Sequence, residues 1–199
     1  MDNFSSEHYV YFFWAMLIVA SFISYLIQRK ETSKMQLIAE ELGLSFRTNN
    51  FSSWKIIGNY ENSFLEIFTE KRSSVRRKYT VSSMTAIQPL PFQLEITRRG
   101  RIENSFKKLF NISDIQTGDE NFDRMFTVKG DNPEEIKKML NSPIIQDAIY
   151  ALMQNAGFVI LSNGIYYEES GVYTDINFYK WFLPKMSSTC DAIYGNENN

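Results

Sequence analysis

Four carboxylates, Asp114, Asp119, Glu120 and Asp123, fall within ten residues of one another. Paired acids let a glycosidase split acid and base roles, or neutralise a hard divalent cation. A membrane-tethered enzyme using Asp119 and Asp123 is therefore one reading. A continuous helix would set these two aspartates one turn apart on one face, where they repel unless something cationic lies between them. The competing geometry is a turn. Thr117 and Gly118 reverse the chain, Asp119 caps a single helical turn from Glu120 to Asp123, and its carboxylate accepts backbone N–H groups without a metal. A calcium loop needs alternate oxygen ligands, a central glycine and a terminal bidentate glutamate, an order this stretch lacks. Phe122 and Phe126 read as core anchors holding the turn to a sheet. Gly118, Asp119, Phe122, Asp123 and Phe126 are thus expected to form a structural turn.

Other chemistry has less to work with. The single histidine, His8, precedes a long apolar run, so the part of the chain that follows the run contains no imidazole. Ser-His-Asp and Cys-His catalysis and histidine-bearing zinc sites are excluded there. The single cysteine, Cys190, lies between Thr189 and Asp191 without an electropositive neighbour, and reads as an ordinary buried thiol. No phosphate-cradling glycine loop and no G-x-S-x-G elbow is present. No catalytic residue, metal or cofactor is assigned.

The elements that must position these groups begin with a membrane segment. Tyr9 to Ile27 is 19 residues without a charge, enough at about 1.5 Å per residue to cross a hydrocarbon core of about 30 Å. Aromatic residues lie toward both ends, Tyr9, Tyr11 and Trp14 at one and Tyr25 at the other. Asp2 and Glu7 precede the run and Arg29, Lys30 and Lys34 follow it. The positive-inside rule then places residues 1–8 outside the cell and everything after Gln28 in the cytoplasm. The expected location is the inner membrane, spanned once by residues 9–27.

Residues 28–43 keep a helical pattern, with Met35, Ile38 and Leu42 on one face and Gly43 as the stop. Residues 44–195 are expected to form one α+β domain, with 196–199 a polar tail. Four aromatic and β-branched runs, Trp54–Tyr60, Ser63–Glu70, Tyr79–Ile87 and Phe92–Arg98, read as consecutive antiparallel strands, and Met125–Lys129 as another. Asn132, Pro133, Glu134 and Glu135 carry helix-start chemistry, and Ser142 with Pro143 repeats it. A hairpin is expected around Asn163 and Gly164, then a closing helix from Asp175 to Tyr194 kinked or divided by Pro184. Strands, a helix pair, a hairpin and a helix in that order predict an antiparallel sheet packed with helices.

The pattern Gly118-Asp119-x-x-Phe122-Asp123-x-x-Phe126-x-Val128, followed by a helix reaching Leu140 and then Pro143, resembles a motif of uncharacterised membrane-anchored proteins of bacteria. The resemblance covers roughly residues 114 to 170 and implies a bacterial membrane-tethered module. It implies no activity.

Charge is close to balanced overall, at -2, but not along the chain. Glu70 to Lys108 holds ten basic residues and three acidic ones, whereas Leu109 to Asp175 holds four basic and eleven acidic. Lys71, Arg72, Arg76, Arg77 and Lys78 fall between two expected strands and read as a basic hairpin loop, for the membrane surface or a partner. Nucleic acid is not an expected partner, since exposed aromatic residues are not interleaved with the basic ones. The expected function is a single-pass membrane-anchored cytoplasmic module that binds a partner protein or anionic lipid.

Overall fold

The apolar run and the helical stripe after it merge into one element, α1, an unbroken helix from Ser6 to Glu41 in the computed structural model. The described residues are 6–50, 53–72, 77–99, 114–153 and 157–195; the tail at 196–199 lies outside them. From Tyr9 onward α1 is long and apolar enough to cross a membrane, and the most apolar part of it buries nothing against the protein. Its last turns do the opposite. Met35 and Ala39 are 0% exposed and Ile38 is 4% exposed, so the element that is bare at one end is core at the other. No linker separates the two.

Gly43 ends α1 as expected. At φ 68 it occupies the left-handed region, and the reversal is closed by Leu44 N–H donating to Ala39 O at 2.8 Å and Gly43 N–H to Glu40 O at 3.1 Å. These are the two bonds of a Schellman cap. The chain then enters β1 (Ser45–Asn50), followed by β2 (Ser53–Tyr60), β3 (Ser63–Arg72), β4 (Arg77–Ala86) and β5 (Leu94–Arg98). After α2 (Glu120–Met125) come β6 (Phe126–Gly130), α3 (Pro133–Leu140), α4 (Pro143–Met153), β7 (Phe158–Leu161), β8 (Gly164–Ser170) and α5 (Ile176–Tyr194).

All eight strands join one antiparallel sheet in the order β1-β2-β3-β4-β8-β7-β5-β6. The fold is the expected α+β class, but the four early strands are not four neighbours in a row. β8 occupies the place beside β4, and β5 pairs with β6 and β7 instead. The Pro89-Leu90-Pro91 interruption carries the chain away between β4 and β5. It has no free N–H at either proline to continue a ladder. β1 was not anticipated, because Ser45–Asn50 has Phe46 as its single large apolar residue and four consecutive polar residues, Arg47 to Asn50, at its end. Pairing with β2, from Ser45 opposite Ile57 to Asn50 opposite Ser53, imposes its extended form.

One face of the sheet is apolar across its width. Ile56, Leu65, Ile67, Met84, Ile96 and Ile165 are each 0–2% exposed, and the end of α1 and α5 pack on that face as parts of one core. The Cys190 thiol of α5 reaches Met84 O at 3.8 Å and the Tyr194 hydroxyl donates to Leu161 O. Lys180 pairs with Glu41 at 2.9 Å, joining α5 to the end of α1. Pro184 neither divides nor ends α5, which is helical on both sides of it. Buried Leu183, Met186 and Cys190 hold the helix against the core around the missing N–H.

Candidate functional site

The acidic turn is the first candidate, and its geometry follows from local hydrogen bonding. Asp119 stands in extended conformation at φ -92 as the N-cap of α2. Its Oδ1 accepts Asn121 N–H at 2.8 Å and Phe122 N–H at 3.1 Å, the bonds that an orphaned helix start requires. Asp123 reaches back. Its Oδ1 accepts both the N–H and the hydroxyl of Thr117 at 2.8 Å, and its Oδ2 accepts Gly118 N–H at 3.2 Å. Gly118, at φ 95, supplies the backbone conformation that lets the two arms meet. Asp119 was foreseen as the cap. The engagement of Asp123 was not, although a Thr-Gly pair five and six residues ahead of an aspartate is the signal it leaves.

Phe122 and Phe126 anchor the turn as expected, with exposures of 0% and 1%. Their rings lie 4.7 Å apart, and both contact Tyr150 of α4, at 5.7 and 5.4 Å. Burial raises the Tyr150 hydroxyl pKa above its ordinary value, with the Asp119 charge adding to the effect and Arg124 opposing it. The helix is two residues longer than expected, so Met125 belongs to α2 and the strand starts at Phe126. Phe126 and Val128 share the buried face, as their alternation predicts.

Asp119 Oδ1 and both oxygens of Asp123 therefore accept from backbone and hydroxyl donors of their own turn. Among the described residues, no group of three or more metal-ligating side chains converges. Replacing Asp119 with alanine is expected to lower stability by about 0.5 to 2 kcal/mol, the usual cost of a lost cap. Asp123→Ala, which strips acceptors from the partly buried N–H and hydroxyl of Thr117 and from the exposed N–H of Gly118, should cost about 2 kcal/mol. Urea unfolding of the full chain in mild detergent measures both. Stoichiometric divalent-cation binding by calorimetry, lost in either variant, would instead make the turn a metal site.

The basic residues are placed differently from expectation. Lys71 and Arg72 close β3, and Arg77 and Lys78 open β4, so these four belong to paired strands and not to a loop. The ladder runs on past Thr69 opposite Thr80 and Glu70 opposite Tyr79 to set Lys71 opposite Lys78 and Arg72 opposite Arg77. Thr and Tyr favour extended backbone and carry the pairing outward. Arg76 lies outside the described residues.

The expected hairpin of β7 and β8 is present, one residue earlier than anticipated. Leu161 pairs with Gly164, so Ser162 and Asn163 make the turn and Gly164 opens the strand. Cys190 is 2% exposed, and burial pushes its thiol pKa up to about 11, against a hydrogen bond with Ser63 that lowers it. A thiol so held is a poor nucleophile.

A long helix bare over an apolar stretch and buried at its end, leading into one antiparallel sheet packed with helices, defines a helix-led α+β chain. The crystal structure of the mycobacterial trehalose monomycolate transport factor A, TtfA, is similar to this chain with a TM-score of 0.56. The likeness covers 82% of this chain and 94% of that one at 10% sequence identity, and shows the fold. No family model matches the chain, and no curated protein matches it.

Proposed function

We propose that this chain is a single-pass, membrane-anchored module of the bacterial cytoplasmic face that serves a membrane process by binding, not by catalysis. The observation that carries the reading is the unbroken α1. Its first part exposes an apolar surface, with Tyr9, Phe12 and Ile18 each more than 60% exposed, while Met35 and Ala39 of the same helix are core. An exposed apolar surface of that length is stable in hydrocarbon and costly in water. Because the helix is continuous, a domain attached to it is held near the bilayer and cannot drift on a tether. The basic cluster of Arg29, Lys30 and Lys34 supports a cytoplasmic domain. The motif from Gly118 to Val128 supports the bacterial setting, and the named role of TtfA as a transport factor fits an accessory to traffic at a membrane. The alternative, a tethered enzyme acting through Asp119 and Asp123, draws no support from carboxylates already bonded within their turn.

The reading predicts two results. Alkaline carbonate should leave the full chain in the membrane pellet. Protease added to right-side-out vesicles should spare residues after Gln28, whereas inverted vesicles should expose them. Release by carbonate would sink the anchor, and digestion in right-side-out vesicles would reverse the orientation.

A further inference from the structure

Between its apolar run and its buried turns α1 has no joint. Ser6 to Glu41 contains neither glycine nor proline, the residues at which helices ordinarily kink. The charge-free run closes at Ile27, and Met35, the first fully buried residue, follows eight positions later, about 12 Å along the axis. The domain shields the helix further back than that. Gln28, Glu31 and Thr32 are half-buried, and with Met35, Ile38, Ala39 and Leu42 they form one stripe at three- and four-residue spacing. Helical neighbours alone do not give this shielding, since every residue from Tyr9 to Ile27 is exposed. One side of α1 is therefore walled by the domain from the residue at which the apolar run ends, and it packs on β1 and β2. The opposite side is open. Arg29, Lys30, Ser33 and Leu37 are exposed there, Leu37 to 61%, with exposed Lys34 at its flank. Among the described residues no carboxylate pairs with Arg29, Lys30 or Lys34.

We infer that α1 is a rigid lever that turns bilayer thickness into a tilt of the whole domain, toward the side bearing Arg29, Lys30 and Leu37, which lies against the lipid phosphates. This rests on the reading of α1 as a membrane anchor. Tyr9 to Ile27 measures about 28 Å. A hydrocarbon core of about 32 Å takes that length upright, whereas one of about 27 Å takes it at a tilt of roughly 20°. A helix with a hinge would absorb the tilt at the hinge. Here Met35 and Ala39 are core, the Schellman cap closes on Ala39, and Lys180 ties Glu41 to α5 at 2.9 Å. The sheet must then turn through the same angle as the span. The direction follows from what each side of α1 would press into the leaflet. On the packed side that is the domain itself, with β1 and β2 against the helix, so polar strand surface would meet the headgroups before the helix did. On the open side it is two unpaired cations in the first turn past the run, followed by an exposed leucine two turns further on. Anionic phosphate attracts the cations, and the leucine loses contact with water. Lipid is the occupant because this surface continues the span without a break. Arg29 stands two residues past Ile27, about 3 Å along the axis.

The test is the relaxation of a nitroxide on Ser33→Cys by nickel chelated to lipid headgroups. The full chain is placed in vesicles of phosphatidylcholine and phosphatidylglycerol with either short or long acyl chains. Cys190, at 2% exposure, is shielded from the label. A tilt of roughly 20° brings a side chain on the open face several ångströms closer to the leaflet, so relaxation should rise about twofold or more in the thin bilayer. The rise should vanish when a glycine-serine segment is inserted between Lys30 and Glu31, and should shrink in R29Q/K30Q/K34Q. The unfolding midpoint reports whether the insertion leaves the domain folded, and Lys30→Pro, which kinks the helix at the same place, serves if it does not. Equal relaxation in thin and thick bilayers, with a nitroxide on Val19→Cys still shielded from water, would overturn the lever and leave the anchor standing. A rise of full size in the insertion variant would overturn it as well. A fall in relaxation in the thin bilayer, or a rise undiminished in R29Q/K30Q/K34Q, would overturn the open side as the surface that meets the phosphates. Water reaching Val19 would instead remove the anchor itself.

Discussion

Phe122→Ala is expected to lower the stability of the domain by about 3 to 5 kcal/mol, the range for deleting a buried aromatic ring. That is a large share of the 5 to 15 kcal/mol typical of a whole domain. Phe122 is 0% exposed, on a helix of six residues that has few bonds of its own to resist collapse. Its ring is in contact with Phe126 and Tyr150, which belong to different elements. Those elements are fixed by the sheet and by α4, so they cannot close over the space, and the cavity term adds to the lost transfer term. The comparison with Asp119→Ala is informative. If the turn exists to hold this edge of the sheet, the buried ring outweighs the surface cap severalfold in urea unfolding of the full chain in detergent. A loss for Phe122→Ala below that for Asp119→Ala would mean that the carboxylate has a role beyond capping.

The parts of this fold that were legible in the sequence are those decided by neighbours along the chain. Gly43 as a stop, Asn132 and Pro133 as a helix start, and Asp119 as a cap each depend on backbone groups two to five residues away. Alternation located the strands for the same reason. What was not legible depends on distant partners. β8 lies beside β4 although about eighty residues separate them, and nothing local in Tyr79–Ile87 distinguishes that neighbour from β5. β1 is a strand because β2 offers it a ladder, not because Ser45–Asn50 prefers to be one. The basic residues show the same limit. Their composition suggested a loop, and pairing within the ladder drew four of them into strands.

Gly164→Ala should also be severe, at about 3 kcal/mol or more, for a steric reason that the Asn-Gly signal conceals. The dipeptide would ordinarily mark a turn in which glycine supplies positive φ and is otherwise free. Here the glycine is already in β8, opposite Thr85 on one side and Leu161 on the other. A methyl group there would stand 2.3 Å from Met84 O and 3.0 Å from Thr85 Cα. Both are backbone atoms of a central strand, so neither can swing aside as a flexible side chain would. Overpacking of this kind costs about 1 to 3 kcal/mol, and the φ of 155 adds conformational strain for any L side chain. Gly118→Ala is the control. Its φ is 95 but a Cβ meets nothing within 4 Å, so only the conformational cost of about 1 to 2 kcal/mol remains. The site matters beyond stability, because β4 and β8 join the half-sheet on which α1 packs to the half that carries the acidic turn. Ala86 N–H to Asn163 O at 3.0 Å and Leu90 N–H to Ser162 O at 2.8 Å complete that seam. In Gly164→Ala, amides along the seam should exchange faster than those between β2 and β3, with the unfolding midpoint lowered well below that of Gly118→Ala. Equal midpoints for the two variants would show that the β4–β8 contact has room to yield, and that the two halves are not held as closely as the packing at Gly164 requires.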